Sequence, residues 1–359
     1  MGRIRACIES DVPQIAELHR RVWTPAGGRG PVISEAYFAE ILFRNSCRAD
    51  DLPSLVYEDD HGRVAGCLGV MPRRMSFEGR PVRVAISHNF MVAPDSRSSL
   101  AGIQLMREFF AGRQDLSIAQ SNDVAWRVWE GLGGSTAPIY EMVWTRPLRP
   151  GRYLASVIGG RRRDGREPFW LRAGAGILDV ATAGMPSSPL RPRVPREASE
   201  ELTTETFLQF FGEVADGRAL RPEYDQASLR WIFDLLERKT NHGVLRKRAV
   251  RGGDGSTLGW YLYYARPGGR GEVVQIAARP ASIREVLDHC FYDAWRQGVS
   301  ALFGQIDPPL TRQLSSTNCL FRYSGTRLVV NTRDPELMQA LCRGDAFLTR
   351  LEGEWWINP

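Results

Sequence analysis

Lysine is nearly missing from this 359-residue chain: Lys239 and Lys247 are its two examples, and arginine supplies the rest of the 47 basic side chains. That is a compositional bias, and no function follows from it. Cysteine is sparse and scattered. The six, Cys7, Cys47, Cys67, Cys290, Cys319 and Cys342, form no C-x-x-C pair and have no histidine at ligand spacing. This excludes a disulfide framework and a zinc site, and the thiols are expected to be reduced and mostly buried. No apolar run approaches the roughly 18 residues that a membrane-spanning helix needs. The opening Met-Gly-Arg-Ile-Arg-Ala enters charged sequence at once, with Ala6 where a myristoylation signal needs Ser or Thr, so neither a leader nor a lipid anchor is expected. A cytoplasmic protein with no membrane span follows.

What is present is ordinary for a globular chain, with 43% hydrophobic and 25% charged residues. The length favours two domains, each with its own core. The net charge of +6 is modest and spread along the chain. It suits an acidic small ligand as well as a nucleic acid, and no DNA partner is expected.

Along the chain, residues 4–8 read as a strand, capped by Ser10 or Asp11 before a helix carrying Val12, Ile15, Leu18 and Val22. Residues 55–57 and 64–70 flank a polar turn and read as a hairpin. A longer extended run over 82–92 stops at Pro94. A helix with Leu105, Met106, Phe109 and Phe110 on one stripe follows, then a strand over 116–120 and a helix ending at Gly133-Gly134. Pro, Gly and Arg clusters fill 147–200, with one buried element expected near Ile177-Leu178-Asp179-Val180. From 201 the order repeats: helices, a hairpin through Asp254-Gly255, a strand over 273–277, Pro280, a helix, and a strand over 301–306. This parallel predicts an internal repeat.

Residues 92–106, Val-Ala-Pro-Asp-Ser-Arg-Ser-Ser-Leu-Ala-Gly-Ile-Gln-Leu-Met, run from strand end through a small-residue loop into a helix. Backbone N–H groups gather at such a helix start, where the helix dipole favours an anion. The stretch resembles the acyl-coenzyme A loop of the GNAT (GCN5-related N-acetyltransferase) superfamily, Arg-x-x-Gly-x-Gly/Ala. Arg97 and Gly102 match, and Leu100, which still offers its backbone amide, stands at the first glycine. Downstream, Ser121-Asn122-Asp123-Val124-Ala125 with Trp129 and Gly133 is similar to the family's second motif, Asn-x-x-Ala-x-x-x-Tyr-x-x-x-Gly. The resemblance covers roughly residues 4 to 146.

That resemblance implies an α+β protein of two tandem GNAT-like domains, each a mixed, mostly antiparallel sheet flanked by helices. The expected division is 1–146, a connection over 147–200, and a degenerate domain over 201–359. It implies acetyl-CoA or another acyl-CoA as co-substrate, with Arg97, Ser98, Ser99, Leu100, Ala101, Gly102 and Ile103 around the pyrophosphate. Met91 and Val92 would pair with the pantetheine arm, with Asn122, Ala125 and Trp129 alongside. Trp129 occupies the position of the motif's tyrosine and has no acid to offer, since an indole N–H only donates. Tyr140 is then the nearest general acid. His88, beside Ser87 and Asn89, is the expected base, because an ordinary imidazole titrates near neutral pH; Glu141 is the second. Direct attack of an amine on the thioester needs no covalent enzyme intermediate.

The implied reaction moves an acyl group to an amine of a small metabolite or sugar. After Pro280 no phosphate loop follows, so the second half is expected to build the acceptor cleft or a homodimer surface. Trp260, Tyr261, Tyr263 and Tyr264, with Trp355 and Trp356, are its candidate pocket lining or core residues. Two alternatives share the fold: a Fem-type transferase using aminoacyl-tRNA, and a scaffold that keeps the fold without the chemistry, for which Leu100 and Trp129 speak.

Overall fold

The computed structural model describes residues 2–23, 33–96, 100–160, 174, 176, 179, 191–215 and 217–357. They fall into two compact units. The first comprises 1–138, 218–232 and 325–359, the second 139–217 and 233–324. Neither is a continuous stretch of chain, in contrast to the contiguous division 1–146, 147–200 and 201–359.

The first unit opens with β1 (Arg3–Ala6), α1 (Val12–Trp23), α2 (Glu35–Phe43), β2 (Leu55–Glu58), β3 (Val64–Phe77) and β4 (Arg80–Val92). After β4 come α3 (Ala101–Phe110), β5 (Leu116–Ser121), α4 (Asp123–Gly131) and β6 (Ser135–Thr136). The expected hairpin, long strand and two helices are all present. Asp11 anchors the start of α1: its carboxylate accepts from Ile8 N and pairs with Arg5 at 2.7 Å.

Along β3 and β4 side chains alternate between two cores, as a pleated strand buried on both faces requires. Ile15, Leu18, Phe38, Cys67 and Met91 pack with α1 and α2 on one face. Leu68, Val70, Ala85, Leu105, Phe109 and Trp129 pack with α3 and α4 on the other.

The second unit contains β7 (Met142–Pro147), α5 (Pro150–Gly160), β8 (Ala198–Glu201) and α6 (Thr204–Val214). After β9 (Leu220–Pro222), which belongs to the first unit, α7 (Gln226–Arg238) runs across the division. The second unit continues with β10 (Val244–Arg251), β11 (Thr257–Ala265), β12 (Arg270–Ala278), α8 (Ile283–Arg296), β13 (Ala301–Gln305), α9 (Thr311–Ser315) and β14 (Leu320–Tyr323). Finally β15 (Arg327–Thr332) and α10 (Pro335–Arg343) return to the first unit. The element expected near 177–180 lies mostly outside the described residues. Asp179, which is described, accepts from Gly151 N at 2.7 Å.

Each sheet is mostly antiparallel, with one parallel pair. The first runs β1-β2-β3-β4-β5-β15-β6, with β9 on β3; the second runs β14-β7-β13-β12-β11-β10-β8. The repeat is therefore real at the level of ladders. In the first sheet β4 and β5 pair through Val84↔Leu116, Ala85↔Ser117 and Ile86↔Ile118. In the second, β12 and β13 pair through Arg270↔Ala301, Gly271↔Leu302 and Glu272↔Phe303. In both the ladder then stops although the strands continue. Trp260, Tyr261, Tyr263 and Tyr264 are fully buried in the second unit, so they are core residues.

Candidate functional site

The first unit's opening lies between β4 and β5. Beyond Ile86 the remainder of β4, from Ser87 to Val92, has no β5 partner. Each strand is held on its outer side instead: β4 pairs with β3 as far as Val92, and β5 pairs with β15 along its length. A β-bulge accompanies the divergence. Asn89 and Phe90 together face Leu68, between the Gly69↔His88 and Cys67↔Met91 pairs. Asn89 takes a left-handed φ of 47°, a conformation that asparagine adopts more readily than most residues. The extra residue reverses the alternation, so that Ala85 packs under α3 and α4 while Met91 packs under α1 and α2.

Ala93 N donates to Ala65 O at 2.8 Å, toward β3. By strand alternation the peptide groups of Val92 turn to the other edge, the open one. Val92 thus presents backbone donor and acceptor to the opening, whereas the Met91 side chain is buried in the α1 and α2 core. At the end of this strand α3 begins. Its N-cap, Leu100, is 59% exposed and makes no side-chain capping bond, and a helix start of this kind is a place where backbone N–H groups and the helix dipole favour an anion. Ala101 is buried and Gly102 and Ile103 are half-buried in the first turn. Arg97, Ser98 and Ser99 lie outside the described residues. A cleft of about 320 Å³ borders the same end of β4, between Gln14 and Arg21 of α1, Arg63, Ala93 and Asp95.

At the start of α4, Asn122 Oδ1 accepts from Val124 N at 3.1 Å and Ala125 N at 3.0 Å, which commits its side-chain oxygen to the helix cap. Ala125 is half-buried. Trp129 is 1% exposed, donates from Nε1 to Val330 O at 3.0 Å, and sits edge-on to Phe110. It is a core residue with its one donor used.

His88 lies opposite Gly69, and the two approach so closely that a Cβ at position 69 would fall 2.4 Å from the imidazole. The ring is 1% exposed. Asn89 Nδ2 lies 3.1 Å from Nδ1 and donates to it, so the ring proton sits on Nε2, which is buried with no partner among the described residues. Burial pushes the imidazole down to about 3. His88 is therefore neutral at physiological pH, and the near-neutral titration that motivated its role as base is lost to desolvation. Tyr140 and Glu141 belong to the second unit, where both are buried.

On the His88 face of the sheet lies a group the sequence pattern did not bring together. The 3-10 turn Glu354–Trp356 rests against both β4 and β5. Tyr37 of α2 donates its hydroxyl to Ile357 O and also hydrogen-bonds Asn89. Trp356 is fully buried and edge-on to Trp231, whose Nε1 donates to Glu40 at 3.2 Å. The Trp355-Trp356 pair was the visible signal, but its place in the first unit was not.

The second unit's opening is filled. Trp144, 1% exposed, donates from Nε1 to Gln305 O, and a Cβ on Gly304 would lie 3.0 Å from Val273 Cβ and 3.1 Å from the Trp144 ring.

Comparison with known proteins gives a consistent picture. Residues 3–118 match the family model of the acetyltransferase (GNAT) domain. No curated protein matches the sequence. Among solved structures, a conserved protein of unknown function from Enterococcus faecalis V583 is similar with a TM-score of 0.62 at 10% identity, over 95% of this chain and 74% of that one. A GCN5-related N-acetyltransferase from Anabaena variabilis gives 0.59 at 13% identity, over 93% and 73%. The N-myristoyltransferase of Saccharomyces cerevisiae, solved with myristoyl-CoA and inhibitors, gives 0.55 at 11% identity, over 92% and 79%. At these identities the likeness is one of fold.

Proposed function

We propose, from the match of residues 3–118 to the family model of the acetyltransferase (GNAT) domain, that the chain is an N-acyltransferase moving an acetyl or longer acyl group from acyl-CoA to an amine of a small metabolite or sugar. The observation that carries this reading is the divergence of β4 from β5 after Ile86. It leaves a peptide edge at Val92 to pair with an extended amide-bearing arm, leading to an exposed helix start at Leu100 suited to phosphates. These features fit acyl-CoA, which supplies the activated thioester. The chain's own contribution is to align donor and amine and to exclude water.

In this reading His88 acts as a neutral hydrogen-bond donor through Nε2–H and not as the proton acceptor, since burial holds its pKa far below neutrality. The filled opening beside Trp144 supports a second unit that takes no acyl-CoA of its own.

The test is calorimetric titration with acetyl-CoA and longer acyl-CoAs, on the native chain and on Gly102→Glu. An acidic residue in the first turn suits a helix but opposes a pyrophosphate there. Micromolar binding that the variant weakens at least roughly tenfold is the expected result; no binding of any acyl-CoA would overturn the proposal. Trp129, spent in the core, favours one second reading: a CoA-binding protein without turnover, which binding with no CoA release across a broad amine screen would select.

A further inference from the structure

We propose that the acceptor amine also carries a carboxylate, and that Arg73 and Trp356 receive it. The inference rests on the acyltransferase reading above and deepens it. Arg73 lies on β3, and by alternation Gly69, Met71 and Arg73 point to one face, the face that carries His88. Only 7% of Arg73 is exposed. Its guanidinium carbon sits 5.0 Å from the centre of the Tyr224 ring and 5.8 Å from that of Trp356. Nη1 reaches Cys47 Sγ at 3.7 Å, and Nη2 is buried with no partner among the described residues. The Trp356 indole, fully buried against it, has no partner for Nε1 either.

Two neighbouring side chains thus hold buried N–H donors without acceptors. An orphaned buried donor is unfavourable, and a shared occupant with two acceptor oxygens relieves both. A carboxylate matches that geometry, and a guanidinium is the side chain best shaped to receive it. The internal carboxylate nearby, Glu352, attracts Arg73 through space, but its oxygens are engaged by other donors. Glu352 accepts from Thr349 N at 2.7 Å, from Thr349 Oγ1 at 2.6 Å and from the Tyr224 hydroxyl, and burial raises its pKa.

The position ties this pair to the opening. Arg73 stands four residues from Gly69, the partner of His88, or roughly 13 Å of strand at about 3.3 Å per residue. Trp356 comes from the turn that rests on both β4 and β5. A span of this order suits an acceptor whose carboxylate and amine are separated by a chain of several bonds. The chain's net charge of +6 also favours an acidic small molecule.

The experiment follows CoA release from acetyl-CoA with the common L-amino acids, β-alanine and 4-aminobutanoate, each beside its decarboxylated amine. The native chain, Trp356→Phe and Arg73→Met are compared, with acetyl-CoA titrated into each. Trp356→Phe removes one N–H and keeps the ring. The expected result is a preference of roughly 100-fold or more in kcat/KM for acids over their decarboxylated partners. Trp356→Phe should cut it about tenfold and Arg73→Met abolish it, with acetyl-CoA affinity unchanged in both. Equal rates for acids and plain amines, or a preference untouched by Trp356→Phe, would overturn the proposal and leave a buried water as the occupant. If acetyl-CoA itself fails to bind, the acyltransferase reading falls separately. Direct titration of the same acids then decides: binding weakened by Trp356→Phe supports the carboxylate site, and no binding sinks it.

Discussion

At the scale of the residue, His88 shows how burial redirects a side chain. The sequence supplies an imidazole on the right strand, and its ordinary pKa suggests a base. Folding buries it opposite Gly69, and its pKa falls to about 3. Proton uptake by the unfolded chain then begins near pH 6.5 while the native ring stays neutral. The stability that His88 contributes is full above pH 6.5 and is lost progressively as pH falls toward 3, at no more than about 1.4 kcal/mol per pH unit. Denaturant unfolding of the native chain between pH 7 and 4 should show this slope, and His88→Gln should flatten it. A native-like slope in the variant would place the effect elsewhere. Position and residue type were legible in the sequence; the environment that sets the charge was not, because it depends on Gly69 across the strand pair.

At the scale of the element, the second motif divides its residues between two tasks. Asn122 is the N-cap of α4, with Oδ1 held by two backbone amides. Asn122→Ala should cost about 1 kcal/mol of stability, and Asn122→Asp should restore most of it, both with acetyl-CoA affinity unchanged. Chemical denaturation beside calorimetry reads both quantities, and a loss of affinity in the aspartate variant would assign the side chain to the ligand instead. Helix and strand boundaries here were largely readable, since the apolar periods, Pro94 and Gly133 mark them. The bulge at Asn89 and Phe90 was not. It arises from pairing with β3, and no local pattern announces that Met91 will turn to the opposite face from Ala85.

At the scale of the molecule, the two sheets exchange strands. β7 follows the first unit's elements in sequence yet pairs with β13 and β14 in the second sheet. β15 closes the chain's second half yet pairs with β5 and β6 in the first. The repeat was legible as an order of elements; the exchange was not, because a strand's partner is fixed by tertiary pairing and not by its own sequence. A fragment ending at residue 146 lacks β15 and should show no cooperative thermal transition by circular dichroism, whereas the whole chain should melt cooperatively. A cooperative melt of the fragment would mean that β5 does not need this neighbour. The exchange also sets a timetable for biosynthesis. A ribosome that has released β5 has most of the chain still to make before β15 emerges, and throughout that interval β5 offers an unpaired edge. The first sheet therefore cannot be completed until β15 has been made, and until then its β5 edge lacks the neighbour it has in the folded chain.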